Sequence, residues 1–302
     1  MRVLVTGSGG FVGGHLCAWL RSFGDEVIEW TGAPGSPDVT DVGALRVALD
    51  QSRLDGVYHL AGQARVDLSW AEPAQTLSVN AGGTANLLTA LHDCESAARV
   101  VVMSSAEVYG IVSADALPLH EDDRVAPRSP YGVSKVAAEQ VATVIAEAHE
   151  REVLICRPFN QIGPGQAPTF VTAAFAEQVA ANEHAGGGEI RVGNLSATRD
   201  FLDVRDAVAA YRAVMVDGDA GQAYNVASGA ELAVQALLDG LIELSTAAQE
   251  VVVDQDRFRP NDLPRMYGSV DKLKAATGWR RTYSIEQTLN DVLNEARARR
   301  TR

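Results

Sequence analysis

A tyrosine and a lysine in the middle of the chain have the spacing of an acid–base pair. Tyr131 and Lys135 are four residues apart, which places both side chains on one face of a helix. A phenol exchanges protons near neutral pH only when its pKa falls well below about 10, and a neighbouring cation lowers that pKa by favouring the phenolate. We therefore predict that Lys135 lowers the pKa of Tyr131, and that Tyr131 exchanges a proton with a sugar or alcohol oxygen.

A run of apolar residues that ends in two serines supplies other groups for such a reaction. Ser104 and Ser105 follow this predicted strand, so they are expected at the carboxyl edge of a parallel sheet. The hydroxyl of Ser105 can hydrogen-bond the same substrate oxygen as Tyr131. Glu107, two residues further on, adds a carboxylate to this edge of the sheet.

A glycine-rich turn near the start of the chain predicts a dinucleotide-binding site. Gly7, Gly10 and Gly13 follow the first apolar run and open a helical stretch, with Phe11 and Val12 among them. Glycine lets the backbone turn sharply and approach a pyrophosphate, whose charge is held by N–H groups at the helix N-terminus. The G-x-x-G-x-x-G spacing differs from the G-x-G-x-x-G fingerprint, so the interpretation depends on its position directly after a strand.

The end of the second predicted strand bears on the choice between NAD and NADP. NAD-binding sheets usually carry an acid there that holds the ribose 2′-hydroxyl, whereas an arginine accommodates the 2′-phosphate of NADP. Thr31 aligns with this position, so neither signal is present, and the missing carboxylate favours NADP slightly. Asp38, just before Val39, is expected to accept a hydrogen bond from the adenine amino group, although an aspartate there could instead cap a helix.

The elements that must position these residues alternate along the first half of the chain. Short β-branched runs alternate with stretches of helical periodicity, which predicts an α/β fold with a Rossmann-type, doubly wound parallel sheet. The predicted strands are Arg2–Thr6, Glu26–Trp30, Gly56–Leu60, Arg99–Ser104 and Glu152–Cys156. The predicted helices lie near His15–Phe23, Asp41–Gln51, Asn80–His92 and Tyr131–His149.

The pattern changes after Cys156, which predicts a smaller C-terminal α/β lobe. A Pro/Gly-rich loop over residues 157–166 precedes a helix near Thr172–Ala181, and later come a strand at Gln222–Ala227 and a helix near Val234–Leu244. We assign residues 1–158, with 199–227 returning to them, to a dinucleotide-binding Rossmann domain, and residues 159–198 and 228–302 to a substrate-binding lobe. The cleft between the two is the expected ligand site.

Composition and charge argue against several classes of function. The net charge of −13 opposes nucleic-acid binding, and no apolar stretch approaches the roughly 18 residues of a membrane span, so neither partner is expected. The cysteines, Cys17, Cys94 and Cys156, are far apart, which predicts a reducing, cytoplasmic location. The histidines show no metal-ligand spacing, so no metal site is expected.

Five ordered motifs resemble the extended short-chain dehydrogenase/reductases that act on nucleotide sugars, known as the epimerase/dehydratase family. The motifs are residues 7–13, 59–62, 80–84, 104–110 and 129–135. The resemblance implies a nicotinamide cofactor, NADP or NAD, and a catalytic set of Ser105, Tyr131, Lys135 and Glu107. The cofactor-binding residues that it implies are Gly7, Gly10, Phe11, Val12, Gly13, Thr31, Asp38, Val39, Leu60, Ala61, Gly62, Asn80, Ser104, Tyr131, Lys135 and Pro158.

The second half of the chain is similar to the branch of this family that handles GDP-mannose derivatives. The similar segments are residues 157–166, 192–195 and 199–206, and residues 259–264 with 268–269 look closer to the reductases of that branch than to its dehydratases. Gln161 departs from the reductases, which usually have histidine there. The implied substrate-binding residues are Ser105, Glu107, Asn160, Arg191, Asn194, Arg199 and Arg259. Arg259 is the first candidate for the diphosphate, whereas Arg199 could instead pair internally with Asp200.

The resemblance implies that NAD(P)H reduces the C4 keto group of a GDP-4-keto-6-deoxyhexose, a step of deoxysugar biosynthesis that forms a nucleotide sugar of the GDP-rhamnose type. A GDP-mannose 4,6-dehydratase stays an alternative, because Glu107 matches the base that removes a proton from C5. A nucleotide-sugar 4-epimerase is a further alternative. Small residues at Ala137, Ala138 and Ala142 suit a homodimer formed through a four-helix bundle.

Overall fold

Thirteen strands are found in the residues that the structure, a computed structural model, describes, which are 1–258 and 264–300. They are β1 Arg2–Thr6, β2 Glu26–Trp30, β3 Gly56–His59, β4 Arg99–Met103, β5 Val153–Pro158, β6 Asn160–Ile162, β7 Gly188–Val192, β8 Thr198–Arg199, β9 Phe201–Asp203, β10 Ala223–Val226, β11 Leu232–Ala233, β12 Gln249–Val253 and β13 Arg265–Met266. Six of them form one sheet in the order β2-β1-β3-β4-β5-β10, and all of its neighbouring strands are parallel. This sheet confirms the α/β, Rossmann-type prediction.

The helices lie between these strands and cover both faces of the sheet. They are α1 Phe11–Ser22, α2 Val42–Leu49, α3 Val66–Ala71, α4 Pro73–Leu77, α5 Gly83–Asp93, α6 Pro130–Ala148, α7 Val171–Ala185, α8 Val204–Asp217, α9 Val234–Glu243, α10 Asp271–Thr277 and α11 Ile285–Arg300. A π-helical turn over residues 78–82 joins α4 to α5. Three short 3₁₀ turns cover residues 106–108, 114–116 and 255–257.

The strand order reverses between β1 and β3. From β1 the chain moves outward to the edge strand β2, and then returns past β1 to build the sheet in the other direction. Ligands of open α/β sheets bind in the crevice that forms at such a reversal, beyond the carboxyl ends of the strands. The glycine-rich turn follows β1 at this point, where the Gly7 N–H donates to the carbonyl of Trp30 at 2.7 Å.

The side chains on the two faces of the sheet pack into two separate apolar layers. Successive residues of a strand point to opposite faces, so Val3 and Val5 pack with α1 and α8, whereas Leu4 packs with α2 and α5. Leu16 of α1 and Leu87 of α5 are fully buried in these two layers. Both faces of the sheet are therefore covered, which explains why the strands read as continuous apolar runs.

A third apolar cluster forms the core of the second part of the chain. Phe175 of α7, Leu237 of α9 and Leu293 of α11 are buried together, beside the parallel pair β7–β12. Between these elements the chain returns to the large sheet, because α8 packs against α1 and β10 pairs with β5. The residue boundaries of the two lobes stay a prediction.

Two helices differ from their predicted extents. The first helix begins at Phe11 rather than near His15, because the backbone of Gly10 already serves as its N-cap. The helix predicted over Asn80–His92 is instead a π-helical turn over residues 78–82 followed by α5, a change of winding that apolar periodicity does not report. Among residues 1–258 and 264–300, no helix has both the length and the apolar character needed to cross a bilayer.

Candidate active site

A cavity of about 540 Å³ opens at the carboxyl ends of β4 and β5 and continues along α7. The residues from the predicted site that line it are Phe11, Val12, Leu60, Ser104, Ser105, Glu107, Tyr131, Lys135, Pro158, Asn160, Arg191, Asn194 and Arg199. The fold therefore brings the predicted catalytic residues together with part of the cofactor set and most of the substrate set. Arg259 lies outside the described residues.

Tyr131 and Lys135 occupy the first two turns of α6, and the local sequence explains why the helix starts there. The side chain of Ser129 caps the helix by accepting from the Gly132 N–H at 3.0 Å, and Pro130 occupies the first helical position. Tyr131 and Lys135 are both 8% exposed. The Lys135 ammonium donates to the Met103 carbonyl at 2.8 Å and lies 5.9 Å from the centre of the Tyr131 ring.

The prediction that Lys135 lowers the pKa of Tyr131 was wrong. The pKa of Tyr131 is raised to about 12, chiefly by burial; a hydrogen bond with Ser105 lowers it, and the negative charge of Glu107 adds to the rise. The Lys135 ammonium is directed at the Met103 carbonyl, and desolvation is the largest influence on the pKa of the phenol. Burial also lowers the pKa of Lys135 to about 8, against the opposing charge of Glu139. At neutral pH the phenol therefore stays protonated and can act as a proton donor.

Ser105 and Glu107 converge on the phenol from the short turn that follows β4. The Ser105 hydroxyl accepts from the Glu107 N–H at 3.2 Å and also hydrogen-bonds Tyr131. Glu107 is half-buried and lies close enough to raise the pKa of Tyr131 through its charge. A hydroxyl, a carboxylate and a protonated phenol thus share one wall of the cavity.

The glycine-rich turn fits the diphosphate of a dinucleotide. A Cβ at Gly7, whose φ is +72°, would lie 2.8 Å from the Ala61 nitrogen, and one at Gly13 would lie 2.3 Å from the Gly7 carbonyl oxygen. Gly10 caps α1 with no side-chain hydrogen bond, and the first turn of the helix carries no acid. The buried hydroxyl of Ser8 has no hydrogen-bond partner within the described chain. The turn therefore leaves N–H and O–H donors for an anion.

The loops after β2 and β3 hold the other predicted cofactor residues, which lie beyond the cavity lining. The Thr31 hydroxyl is 3.2 Å from that of Ser36. Asp38 accepts from both the N–H and the hydroxyl of Thr40 at 2.8 Å, which lowers the pKa of its carboxyl group. Asp41, rather than Asp38, caps α2. The adenine contact of Asp38 stays a prediction.

Asn80 links the loop after β3 to helix α6 through hydrogen bonds. Its amide oxygen accepts from the Gln63 N–H at 2.8 Å, and its amide nitrogen donates to the Ser134 hydroxyl at 2.8 Å. A Cβ at Gly62 would lie 2.8 Å from the Asn80 oxygen, so only glycine fits beside it. In the same loop the Ala61 N–H donates to the Thr6 hydroxyl at 3.1 Å. Val39 packs next to this region, against Gly83.

The predicted substrate residues reach the far side of the cavity from separate segments. Arg191 of β7 is exposed and pairs with Glu189 at 3.0 Å, and Arg199 of β8 donates to the Thr198 carbonyl at 2.8 Å. Asn194 accepts from the Ser196 N–H and hydroxyl. The carboxylate of Asp200, which was considered as a partner for Arg199, accepts from backbone N–H groups, including those of Ser228 and Gly229.

Sequence reasoning missed several polar side chains that line the cavity. Buried oxygens of Gln161, Gln166 and Thr172 have no hydrogen-bond partner within residues 1–258 and 264–300. The amide nitrogen of Gln161 donates to the hydroxyl of Tyr211, a residue from the middle of α8. Both glutamines lie in the segment 157–166 that was predicted as a loop; Gln161, which belongs to β6, was noted there only as a departure from the reductases. Tyr211 has the pattern of an ordinary core residue and gave no such signal.

Comparison with known proteins places this architecture in a family. The chain matches the model for GDP-mannose 4,6 dehydratase over residues 35–292. It is 38% identical over 301 residues to a GDP-6-deoxy-D-mannose reductase of Pseudomonas aeruginosa, covering 99% of this chain and 98% of that protein. The chain belongs to the GDP-mannose 4,6-dehydratase family. The resemblance to the extended short-chain dehydrogenase/reductases is thereby confirmed.

Two solved structures and a further relative are similar over nearly the whole chain. The structure of RMD from Pseudomonas aeruginosa complexed with NADPH has a TM-score of 0.92 at 38% identity, over 99% of both chains. A putative epimerase from Burkholderia cenocepacia has a TM-score of 0.87 at 33% identity, over 98% of both chains. A UDP-glucose 4-epimerase of Pisum sativum is 27% identical, covering 98% of this chain and 95% of that protein.

Proposed function

We propose that this chain is an NADPH-dependent reductase that converts the C4 keto group of a GDP-4-keto-6-deoxyhexose to a hydroxyl, with GDP-4-keto-6-deoxymannose as the substrate and a product of the GDP-rhamnose type. The observation that carries the proposal is the placement of the buried phenol of Tyr131 beside Ser105 and Lys135, in the cavity at the carboxyl edge of the sheet. The full-length similarity to a GDP-6-deoxy-D-mannose reductase supports the substrate, and the NADPH-bound RMD structure supports the cofactor.

The residues around the phenol have separate roles in a carbonyl reduction. When bound, NADPH supplies a hydride to C4 of the sugar. Tyr131 donates its proton to the C4 oxygen, which becomes more basic than a phenolate as it turns into an alkoxide. Ser105 hydrogen-bonds Tyr131 and orients the carbonyl group. Of the three N–H donors of Lys135, one is used by the Met103 carbonyl, which leaves two for the hydroxyls of the nicotinamide ribose.

The substrate lies, in this proposal, between the phenol and α7. Arg191, Arg199 and Asn194 line that part of the cavity and supply positive charge and amide groups for a diphosphate and its sugar. Asn160 and the unpartnered oxygens of Gln161 and Gln166 are suited to sugar hydroxyl groups, because a hydroxyl donates to a buried acceptor.

The test is turnover of GDP-4-keto-6-deoxymannose with NADPH or NADH. We expect one NADPH to be consumed for each keto sugar reduced, and NADPH to be preferred because no carboxylate stands at Thr31. UDP-glucose and UDP-galactose serve as controls for the epimerase alternative. Their interconversion without consumption of NADPH, together with no reduction of the keto sugar, would contradict the proposal.

A second candidate, the 4,6-dehydratase, is favoured by one observation. Glu107 lies beside Tyr131, where a carboxylate could remove the C5 proton and return it to the departing C6 hydroxyl. Incubation with GDP-mannose alone separates the two activities. A dehydratase forms the 4-keto product with no net consumption of cofactor, whereas a reductase leaves GDP-mannose unchanged.

We also propose a cytoplasmic homodimer formed through α5 and α6. Two of the small residues predicted for its interface, Ala138 and Ala142, are buried in the chain's own core, so that part of the prediction was wrong. The outer face of α6 instead exposes Val133 and Val144, which are 44% and 61% exposed. These apolar side chains, with Ala137 between them, are suited to pack against α5 and α6 of a second copy of the chain, which completes the four-helix bundle.

A further inference from the structure

A buried ion pair lies directly below the lysine of the active site. Glu139 is one helical turn after Lys135 in α6, and Arg157 belongs to the neighbouring strand β5. The Arg157 guanidinium donates to the two carboxylate oxygens of Glu139 at 2.9 and 2.8 Å. The Ser104 hydroxyl, at the end of β4, donates to the same carboxylate. The side chains of Glu139 and Arg157 are 5% and 9% exposed.

The arginine is itself held in place by two other hydrogen bonds. It donates to the Glu121 carbonyl at 2.8 Å and to the Tyr109 hydroxyl at 3.1 Å. The Tyr109 hydroxyl in turn donates to the side chain of Asn225, in the neighbouring strand β10, at 2.7 Å. This network fixes the Glu139 carboxylate next to the end of β4, where Lys135 donates to the Met103 carbonyl.

Fold stability alone is a weak reason for such a pair. Desolvation of two charges offsets much of their attraction, so apolar residues of similar size often replace buried ion pairs without loss of stability. The position of Glu139, four residues after Lys135 on the same helix, indicates a further effect, because side chains with this spacing are neighbours.

We propose that Glu139 is a positioning residue whose carboxylate keeps Lys135 in its protonated, donating form, and that Arg157 and Ser104 hold this carboxylate in place. The inference rests on the proposed function only for the identity of the cofactor hydroxyls to which Lys135 donates. Its electrostatic part depends on the fold alone.

The charges around Lys135 leave Glu139 as its main counter-ion in the described chain. Burial lowers the pKa of Lys135 to about 8, and Glu139 is the charge that opposes this shift. On the same helix Tyr131 is a protonated phenol, and His59 of β3 is neutral because burial lowers its pKa to about 3. Glu107 lies beside Tyr131, and Arg157 is the cation that pairs directly with the Glu139 carboxylate. The charged groups on the other helices packed against α6 are exposed: Asp67 of α3, and His92 and Asp93 of α5.

The chain allows a direct measurement, because its lysines are Lys135, Lys272 and Lys274. Lysine labelled with ¹³C at Cε gives a separate signal for each, and the signal of Lys135 is assigned with a Lys272→Arg/Lys274→Arg variant. Its chemical shift is followed against pH in the wild-type chain and in Glu139→Gln. We expect the midpoint of Lys135 to fall by about one pH unit in Glu139→Gln, because an adjacent carboxylate favours the ammonium. The midpoints of Lys272 and Lys274 should not change.

Two further variants separate this effect from damage to the fold. Glu139→Gln combined with Arg157→Met removes both charges, which avoids a lone buried guanidinium and preserves folding if the single variant unfolds. Its Lys135 midpoint should lie below that of the wild type and above that of Glu139→Gln. Asp203→Asn is the matched control, because the buried carboxylate of Asp203 also pairs with an arginine, Arg205, and is not among the charges that act on the pKa of Lys135. It should leave the midpoint of Lys135 in place.

An unchanged Lys135 midpoint in both Glu139 variants, or an equal fall in Asp203→Asn, would overturn the inference. Because the titration needs neither substrate nor turnover, its result is independent of the proposed activity. A shifted midpoint in a protein that does not reduce the keto sugar would refute the proposed function and leave the role of Glu139 standing.

Discussion

Replacing Gly13 with alanine adds one methyl group at the tightest backbone contact of the glycine-rich turn. The new Cβ would lie 2.3 Å from the Gly7 carbonyl oxygen and 2.6 Å from the Ser8 Cα, whereas real Cβ atoms essentially never approach closer than 3.0 Å. Both neighbours are backbone atoms, so no side-chain rotation relieves the clash. The turn itself must move, at a cost of about 1–3 kcal/mol for an overpacked site.

That movement should weaken the binding of the cofactor more than it changes anything else in the site. The N–H groups available to a diphosphate belong to the same turn, so they move with it. If the full cost is lost from binding, the Kd for NADPH rises about 5- to 150-fold. Titration of NADPH against the purified protein, followed by fluorescence or calorimetry, measures this change directly.

The adjacent glycine provides a matched control. A Cβ at Gly14 meets no atom within 4 Å, and the residue lies inside α1. Gly14→Ala should therefore leave the Kd for NADPH unchanged and raise the free energy of unfolding by up to about 1 kcal/mol, because alanine favours a helix more than glycine does. Wild-type NADPH affinity in Gly13→Ala would refute the assignment of this turn to the cofactor.

Three other outcomes are expected. Tyr131→Phe should lower kcat for the keto sugar by about 10²- to 10⁴-fold with little change in NADPH affinity, and kinetics at the wild-type rate would remove the phenol from the mechanism. Arg297 lowers the pKa of Glu183 to about 2, below its unfolded value near 4.3, so this carboxylate stabilises the fold above pH 4.3 and the stabilisation is lost as the pH falls toward 2. Glu183→Gln should therefore lose less thermal stability than the wild type between pH 4.3 and 2, and an unchanged dependence of thermal stability on pH would contradict this. Val144→Glu should convert the proposed dimer to a monomer, which light scattering measures as a halved mass. The same dimer mass for the wild type and the variant would exclude α6 from the interface.

Local patterns predicted the main elements because the relevant physics is local. The strands β1, β3, β4 and β5 are buried on both sides and read as apolar runs, and Ser129 with Pro130 marks the start of α6. The π-helical turn over residues 78–82 was missed, because Asn80 bonds to Gln63 and Ser134, which are far away in the sequence.

The candidate site was only partly predictable for the same reason. The family motifs indicated Ser105, Tyr131 and Lys135, and the structure places all three in one cavity. Tyr211 reaches that cavity from α8, and nothing in its own segment distinguishes it from other core residues. The small residues of α6 suggested an interface, but Ala138 and Ala142 face the core, since only the folded chain decides which side of a largely apolar helix stays outside.

The sequence by itself determined which groups are available and which of them share a helix face. Residues four apart on α6 are neighbours in any fold that keeps the helix, and the glycines permit one sharp turn after β1. The tertiary structure alone decided the protonation of those groups. The pKa values of Tyr131 and Lys135 depend on desolvation and on charges such as Glu107, and desolvation is set by distant segments that close over the site. Spacing along a helix is a local property, whereas burial belongs to the assembled chain.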